Sequence, residues 1–434
     1  MRKLLKKIPK ITTIHIMVKF DLSNLHKIAA EHGLSEEELS SKKDQIAGYL
    51  EKIEARKQGF YEILDDNVPI KDIDDFALEN RGKYNHIVVL GIGGSSLGTI
   101  CLQQSLTHLY QKTLPELYVL DNIDPEMIKE LEDVIDYEKT LFIVVTKSGT
   151  TPEILSQYYY FRKNTEEKGL VPKEHFVFVT DPEKGTLREI SNSEGIKAFD
   201  IPQNVGGRFS VLTPVGLLPA KLIGIDINRL ISGAKEMRNQ FLSEDFTNNL
   251  PFQLAVIQYL LGEKGKVMNV MMPYSQKLIR FADWYRQLLA ESIGKKVNNK
   301  GETVNVGLTP INALGVTDQH SQSQLYNEGP NDKLIIFIEN THPLPDLKIP
   351  ELETGDITFK KLLNIELEAT ATSLTKNDRP NLRVQVDSVT EETLGSLFML
   401  TEGATAFLGE LYEIDAFDQP GVELSKDLTR KALS

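Results

Sequence analysis

The chain has almost no cysteine, no excess of positive charge and no apolar run long enough to cross a bilayer, and each absence excludes a class of function. One cysteine, Cys101, in 434 residues cannot form an intrachain disulfide, which fits a reducing compartment and a cytoplasmic location. Lys and Arg number 49 against 62 Asp and Glu, a formal net charge of -13. So acidic a chain repels a phosphate backbone, whose binding needs many adjacent cations, and no nucleic-acid partner is expected. The same field repels a small anion at long range, so an anion site must rest on helix N-termini, backbone amides and a few well-placed cations. No stretch approaches the roughly 20 apolar residues that span a bilayer, and no membrane partner is expected. The eight histidines lack the paired spacing of zinc motifs, so no metal site is inferred.

What is present reads as an α/β protein of two or three domains, at roughly 150 residues per domain. Met1 to Phe20 is basic, but Pro9 and Lys10 interrupt it and no apolar core or small-residue cleavage site follows, so a signal peptide is not expected. Residues 1–20 read as a disordered extension or an over-called start, with a more globular stretch opening at Met17. Residues 21–64 form a helical lead-in, with Leu22, Leu25, Ile28, Ala29, Ile46, Leu50 and Ile53 at helical spacing. Short β-branched runs then alternate with amphipathic stretches. They fall at Ile87 to Leu90, Leu117 to Leu120, Leu141 to Val145 and Phe176 to Val179, within a first α/β unit over 65–225. The pattern returns at Val267 to Met272, Val304 to Leu308, Leu334 to Ile338 and Leu382 to Val386, within a second unit over 226–434. Alternation of this kind predicts parallel sheets covered by helices on both faces. Ile357 to Thr375 and Thr390 to Leu411 are helix candidates, and Pro420 to Ser434 reads as a short final helix.

Two glycine-rich segments stand where a strand gives way to a helix. The first is Gly91-Ile92-Gly93-Gly94-Ser95-Ser96-Leu97-Gly98, where glycines let backbone amides approach an anion at a helix N-terminus. A tight turn would need the same glycines. A dinucleotide site is a further alternative, with Asp121 at the end of the next strand as the ribose-binding acid, although Ser96 stands where the third glycine belongs. The second is Thr146-Lys147-Ser148-Gly149-Thr150-Thr151-Pro152-Glu153. Ordinary capping accounts for Thr151 and Pro152, but not for Lys147, Ser148 and Thr150 beside a glycine. In open α/β sheets ligands gather beyond the carboxyl ends of strands, so both cradles can face one phosphate.

Three further segments carry proton chemistry or charge. In Gly206-Gly207-Arg208-Phe209-Ser210 the arginine can stabilise a developing oxyanion, unless it is a surface residue after a turn. Gln287 and Glu291, four apart, share a helical face. Glu291 keeps mostly apolar company before Gly294, and a partly desolvated carboxylate suits a general base; a solvated helix glutamate is the plain alternative. His320, in Gly315-Val316-Thr317-Asp318-Gln319-His320-Ser321-Gln322-Ser323-Gln324, can shuttle protons near neutral pH or serve structure alone.

These five segments in this order, with Gly421-Val422-Glu423-Leu424-Ser425-Lys426, resemble the glucose-6-phosphate isomerase family over about Gly91 to Lys431. The chain looks like the family's shorter bacterial form, and Ser96 departs from its usual pattern. The resemblance implies two SIS-type α-β-α sandwich domains with a helical lead-in and tail. It also implies a homodimer, no cofactor, and reversible conversion of glucose 6-phosphate to fructose 6-phosphate through a cis-enediol. By the same resemblance Gly93, Gly94, Ser95, Thr146, Lys147, Ser148, Thr150 and Thr151 hold the phosphate. Glu291 moves the proton between C1 and C2, Arg208 stabilises the enediolate, and Gln287 orients the sugar hydroxyls. His320, contributed across the dimer interface, and Lys426 assist ring opening. A sugar-phosphate sensor would need only the two phosphate loops, and a nicotinamide-dependent dehydrogenase would instead use the Gly91 loop with Asp121.

Overall fold

In the computed structural model, which describes residues 17–65, 68–342, 345–350 and 357–433, the chain enters through a short strand, β1 (Val18–Asp21). Short helices follow, among them Ser23–His26, Glu36–Ser40, Ile46–Ala55 and Gly59–Glu62. A first sheet is built from β2 (His86–Leu90), β3 (Glu116–Leu120), β4 (Thr140–Thr146), β5 (Phe176–Thr180) and β6 (Ala198–Asp200). Its spatial order is β3-β2-β4-β5-β6, and every pair is parallel. Strands β4 and β5 are buried along their whole length, as their unbroken β-branched and aromatic runs require in a sheet covered on both faces. Alternate residues feed opposite cores: Ile87, Val89, Ile143 and Val145 pack on one side, and Val88, Leu90, Phe142 and Val144 on the other.

The order has a functional consequence. From β2 the chain crosses first to β3 on one side and then to β4 on the other, so the carboxyl ends of β2 and β4 flank a crevice where the winding reverses. Both glycine-rich segments leave the sheet there.

The second sheet draws on β7 (Met268–Pro273), and an antiparallel pair, β8 (Lys295–Val297) with β9 (Thr303–Val306), follows outside it. Next come β10 (Thr309–Asn312), β11 (Lys333–Asn340), a small pair of β12 (Lys348–Ile349) with β13 (Ile357–Thr358), and β14 (Asn381–Val386). The sheet order is β1-β14-β11-β7-β10, parallel except for β1 against β14. Helices Phe359–Lys376 and Glu391–Leu411 are capped by the Thr358 and Thr390 hydroxyls, which accept from the Lys361 and Thr393 amides. Residues Thr393 to Leu411 are buried on every side, and this helix packs against Ile227–Phe241, Leu250–Glu263 and Ile279–Ile293. One apolar cluster, containing Val89 and Val145 of the first sheet and Ile336 and Val384 of the second, joins the two α/β halves.

Three points depart from the sequence reading. Residues 1–16 lie outside the described residues, but Val18, 1% exposed, belongs to β1 and pairs with Val386, so the stretch read as an extension ends in an edge strand. The run Val304 to Leu308 does not supply a sheet strand. Thr303–Val306 pairs with Lys295–Val297, and the sheet takes Thr309–Asn312 instead. Local periodicity cannot choose between two adjacent short runs separated by only Gly307 and Leu308. The three-residue β6 was not foreseen, since it is too short to show a pattern.

Candidate active site

The first cradle leaves β2 as a turn of 3-10 helix, Gly93–Ser95, and enters the helix Leu97–Leu106. Gly93 has φ +59°, and a Cβ there would lie 2.9 Å from Gln287 Nε2. A Cβ on Gly94 would collide with the Gly207 carbonyl. These glycines therefore seat the loop against two other segments, bare backbone to side chain and bare backbone to bare backbone. Ser96 is buried and turns its hydroxyl onto the Gly93 carbonyl.

The second cradle follows β4. Thr151 occupies the N-cap position of the helix Pro152–Glu167, yet its side chain makes no capping hydrogen bond. Its hydroxyl instead meets Thr146 Oγ1 at 2.8 Å and Ser148 Oγ at 3.3 Å. Ser148 Oγ accepts from the Thr150 amide and hydroxyl, both at 3.2 Å. Four hydroxyls thus converge in front of a helix N-terminus whose amides are left free of side-chain capping, an arrangement suited to an anion. The Lys147 ammonium donates to the Gln203 and Val205 carbonyls, each at 2.8 Å, which leaves one of its three N–H groups for a ligand. Burial lowers its pKa, opposed by Asp181.

Arg208 is 4% exposed and ties three distant segments together. Its Nε donates to Ser292 Oγ at 2.7 Å, and Nη1 to Gln419 Oε1 at 2.9 Å and Glu291 Oε2 at 3.4 Å. Nη2 donates to the carbonyls of Ala416 at 2.6 Å and Asp418 at 3.0 Å. Those contacts use all five guanidinium N–H groups. Burial lowers the arginine's pKa, while Glu291, Asp418 and Asp415 push it back up.

Glu291 stands on the helix Ile279–Ile293 one turn beyond Gln287. Its apolar neighbours Leu288, Leu289 and Ile293 point into the core, whereas its own side chain remains 35% exposed beside Arg208. The expected apolar wall is therefore on the far side of the helix, and within this chain a cation dominates the carboxylate's surroundings.

His320 and Lys426 are not part of this network. His320 ends the 3-10 turn Thr317–His320 and is exposed. The turn is held by Asp318, which accepts from the Leu314 amide at 2.7 Å and the Ser321 hydroxyl at 2.6 Å. Lys426 lies on the exposed helix Glu423–Leu433 and pairs with Glu423 at 2.8 Å. Conversely, Ser292, Lys295, Ala416, Asp418 and Gln419 join the Arg208 network although no sequence signal singled them out. Gln419 directly precedes the Pro420–Val422 turn, and that adjacency to the final motif was the only available hint.

Known proteins resemble the chain in both sequence and fold. A family model described as phosphoglucose isomerase matches residues 75–342 and 360–434. A glucose-6-phosphate isomerase of Carboxydothermus hydrogenoformans is 44% identical over 435 residues, covering 95% of this chain and 94% of that protein. The crystal structure of a hypothetical protein of Thermus thermophilus superposes with a TM-score of 0.87 at 35% identity, over 96% of this chain and 100% of that one. A glucose-6-phosphate isomerase structure from Chlamydia trachomatis, 22% identical, shares the fold with a TM-score of 0.82 over 96% of this chain and 88% of its own.

Proposed function

The chain belongs to the phosphoglucose isomerase family, and from that premise we propose that it interconverts glucose 6-phosphate and fructose 6-phosphate with Glu291 as the proton carrier. The observation that carries this reading is the convergence of three segments on one crevice. Gly93 abuts Gln287, Gly94 abuts Gly207, and Arg208 contacts Glu291. A sugar monoester anchored at one end of that crevice places its other end beside a carboxylate and a buried guanidinium.

The phosphate sits among the amides of Gly93 and Gly94, the hydroxyls of Ser95, Thr146, Ser148, Thr150 and Thr151, and the remaining N–H of Lys147. The helix N-termini at Leu97 and Pro152 add positive potential. Gln287 and Glu291 are separated by about 6 Å along the helix axis. Gln287, against the first cradle, orients hydroxyls, and Glu291 reaches the C1–C2 end of the open chain. From the aldose, Glu291 takes the C2 proton as the carbonyl electrons move onto O1, giving a cis-enediolate. The O2 proton passes to O1, and Glu291 then returns the carbon-derived proton to C1 as the carbonyl forms at C2. The charge of Arg208, whose N–H groups are already engaged, stabilises the negative oxygen electrostatically between the two steps. Anchoring the far end of the sugar makes the transfer effectively intramolecular.

His320 and Lys426 serve ring opening, and the exposed position of His320 suits delivery into the site of a second copy in a homodimer. The test is a coupled assay of purified protein on fructose 6-phosphate with added glucose-6-phosphate dehydrogenase, run on the parent and on Glu291→Gln. The expected outcome is a parent that turns over and a variant slowed at least about 100-fold with sugar-phosphate binding retained. Undiminished turnover in a folded variant removes Glu291 from the mechanism.

A further inference from the structure

Lys295 follows the helix-ending Gly294, and its side chain is 5% exposed, an unusual place for an ammonium. Its Nζ donates to the Glu291 carbonyl at 2.9 Å and to the Asp418 carbonyl at 2.7 Å, with Asp418 Oδ1 at 3.2 Å. The Asp418 carbonyl it contacts is also held by Arg208. A closed circuit results: the Glu291 backbone to Lys295, Lys295 to Asp418, Asp418 to Arg208, and Arg208 back to the Glu291 carboxylate.

A helix C-terminus leaves carbonyls without partners, and an exposed lysine or water satisfies them at little cost. Here a buried cation does so and at the same time reaches a second segment. Burial lowers its pKa, against the pull of Asp418, so the ammonium is kept in place by these three oxygens and not by solvent.

We infer that Lys295 is a positioning residue for the isomerisation. By pinning the end of the helix Ile279–Ile293 to the loop 416–419, it fixes where the Glu291 carboxylate stands relative to Arg208 and Gln419. The inference rests on the reading of Glu291 as the proton carrier. Lys295 touches no reacting atom. Its loss displaces the base without removing it, and a misplacement of about 1 Å lowers a rate on the order of 100-fold.

The experiment compares Lys295→Met and Lys295→Arg with the parent and with Glu291→Gln, by kcat, KM, thermal midpoint and loss of label from C2-deuterated glucose 6-phosphate. Lys295→Met is expected to lose about 10- to 100-fold in kcat with KM nearly unchanged. A larger share of the deuterium should be lost to water, because a displaced carboxylate holds the transferred hydron less closely. Lys295→Arg keeps the charge but moves its donors, and it should show the same signature more weakly. If Lys295→Met does not fold, the arginine variant decides alone. Parent-like kcat and label retention in a folded variant overturn the inference when Glu291→Gln is inactive. An active Glu291→Gln overturns the reading of the base itself, whatever Lys295 does.

Discussion

The Arg208 network and the pair formed by His320 and Lys426 are two halves of one proposed site built to different standards. Arg208 is 4% exposed, has every N–H engaged and reaches residues more than 200 positions from itself in sequence, Ala416 and Gln419 among them. Lys426 is 49% exposed and, among the described residues, pairs with a glutamate three residues away, and His320 ends an exposed turn. The chain fixes Glu291 and Arg208, the proposed base and oxyanion partner, by itself and leaves His320 and Lys426, the proposed ring-opening groups, on surfaces. Proton transfer between adjacent carbons tolerates little positional error, which is the reason to expect the proposed base, and not the exposed pair, to be held in a rigid network.

The sharpest way to break the contrast is Arg208→Met. It leaves Glu291 and the Ala416 carbonyl without their cation, so kcat should fall on the order of 100- to 1,000-fold, as when an oxyanion donor is removed. Opening a buried charged network should also lower stability by about 3–5 kcal/mol, read by denaturant unfolding. A variant as stable as the parent would mean the network does not hold the three segments together.

His320→Ala should come next, slowing cyclic substrate more than an open-chain analogue; equal slowing of both would deny it a part in ring opening. Mixing His320→Ala with Glu291→Gln subunits should restore activity at some sites. No recovery after demonstrated subunit exchange would place the histidine within its own chain. Lys426→Ala should give a smaller loss, also greater on cyclic sugar, with thermal stability unchanged because its one ion pair is exposed. A fall in thermal midpoint would show that the tail helix is docked more firmly than its exposure indicates.

The last prediction concerns the buried core behind the site. Glu402 is fully buried in the helix Glu391–Leu411, and neither carboxyl oxygen has a hydrogen-bond partner among the described residues. Burial raises its pKa well above the ordinary 4.5. The unfolded chain therefore releases this proton at a pH where the folded chain retains it. The contribution of the neutral acid to stability is whole below pH 4.5 and declines as pH rises toward the folded-state value, by up to about 1.4 kcal/mol per pH unit. Glu402→Gln should remove that decline, matching the parent near pH 4 and exceeding it in thermal midpoint near pH 8. Parallel pH profiles for the two proteins would disprove the assignment.

Much of this was legible in the sequence because it is local. Continuous apolar runs marked β4 and β5, Thr390 headed a helix candidate that the structure contains, and each glycine-rich segment announced a strand passing into a helix. The failures were also local in cause. Two adjacent runs competed for one place beside β7, and the three residues of β6 carried too little pattern. Val18–Asp21 lay beside a basic stretch that resembled no element. Within the site, the apolar neighbours of Glu291 were visible, but the side of the helix they faced was not.

Residue order by itself determined the alternation of strands and helices, the two anion cradles and the spacing of Gln287 and Glu291, because periodicity and capping act over a few residues. Only the tertiary structure decided that a guanidinium after Gly207 would close on the loop 416–419, that Lys295 would bridge that loop to the Glu291 backbone, and that His320 and Lys426 would be left outside the network. Those outcomes depend on contacts between segments far apart in the chain, whose partners are chosen when helices and sheets pack and not by any pattern within a segment.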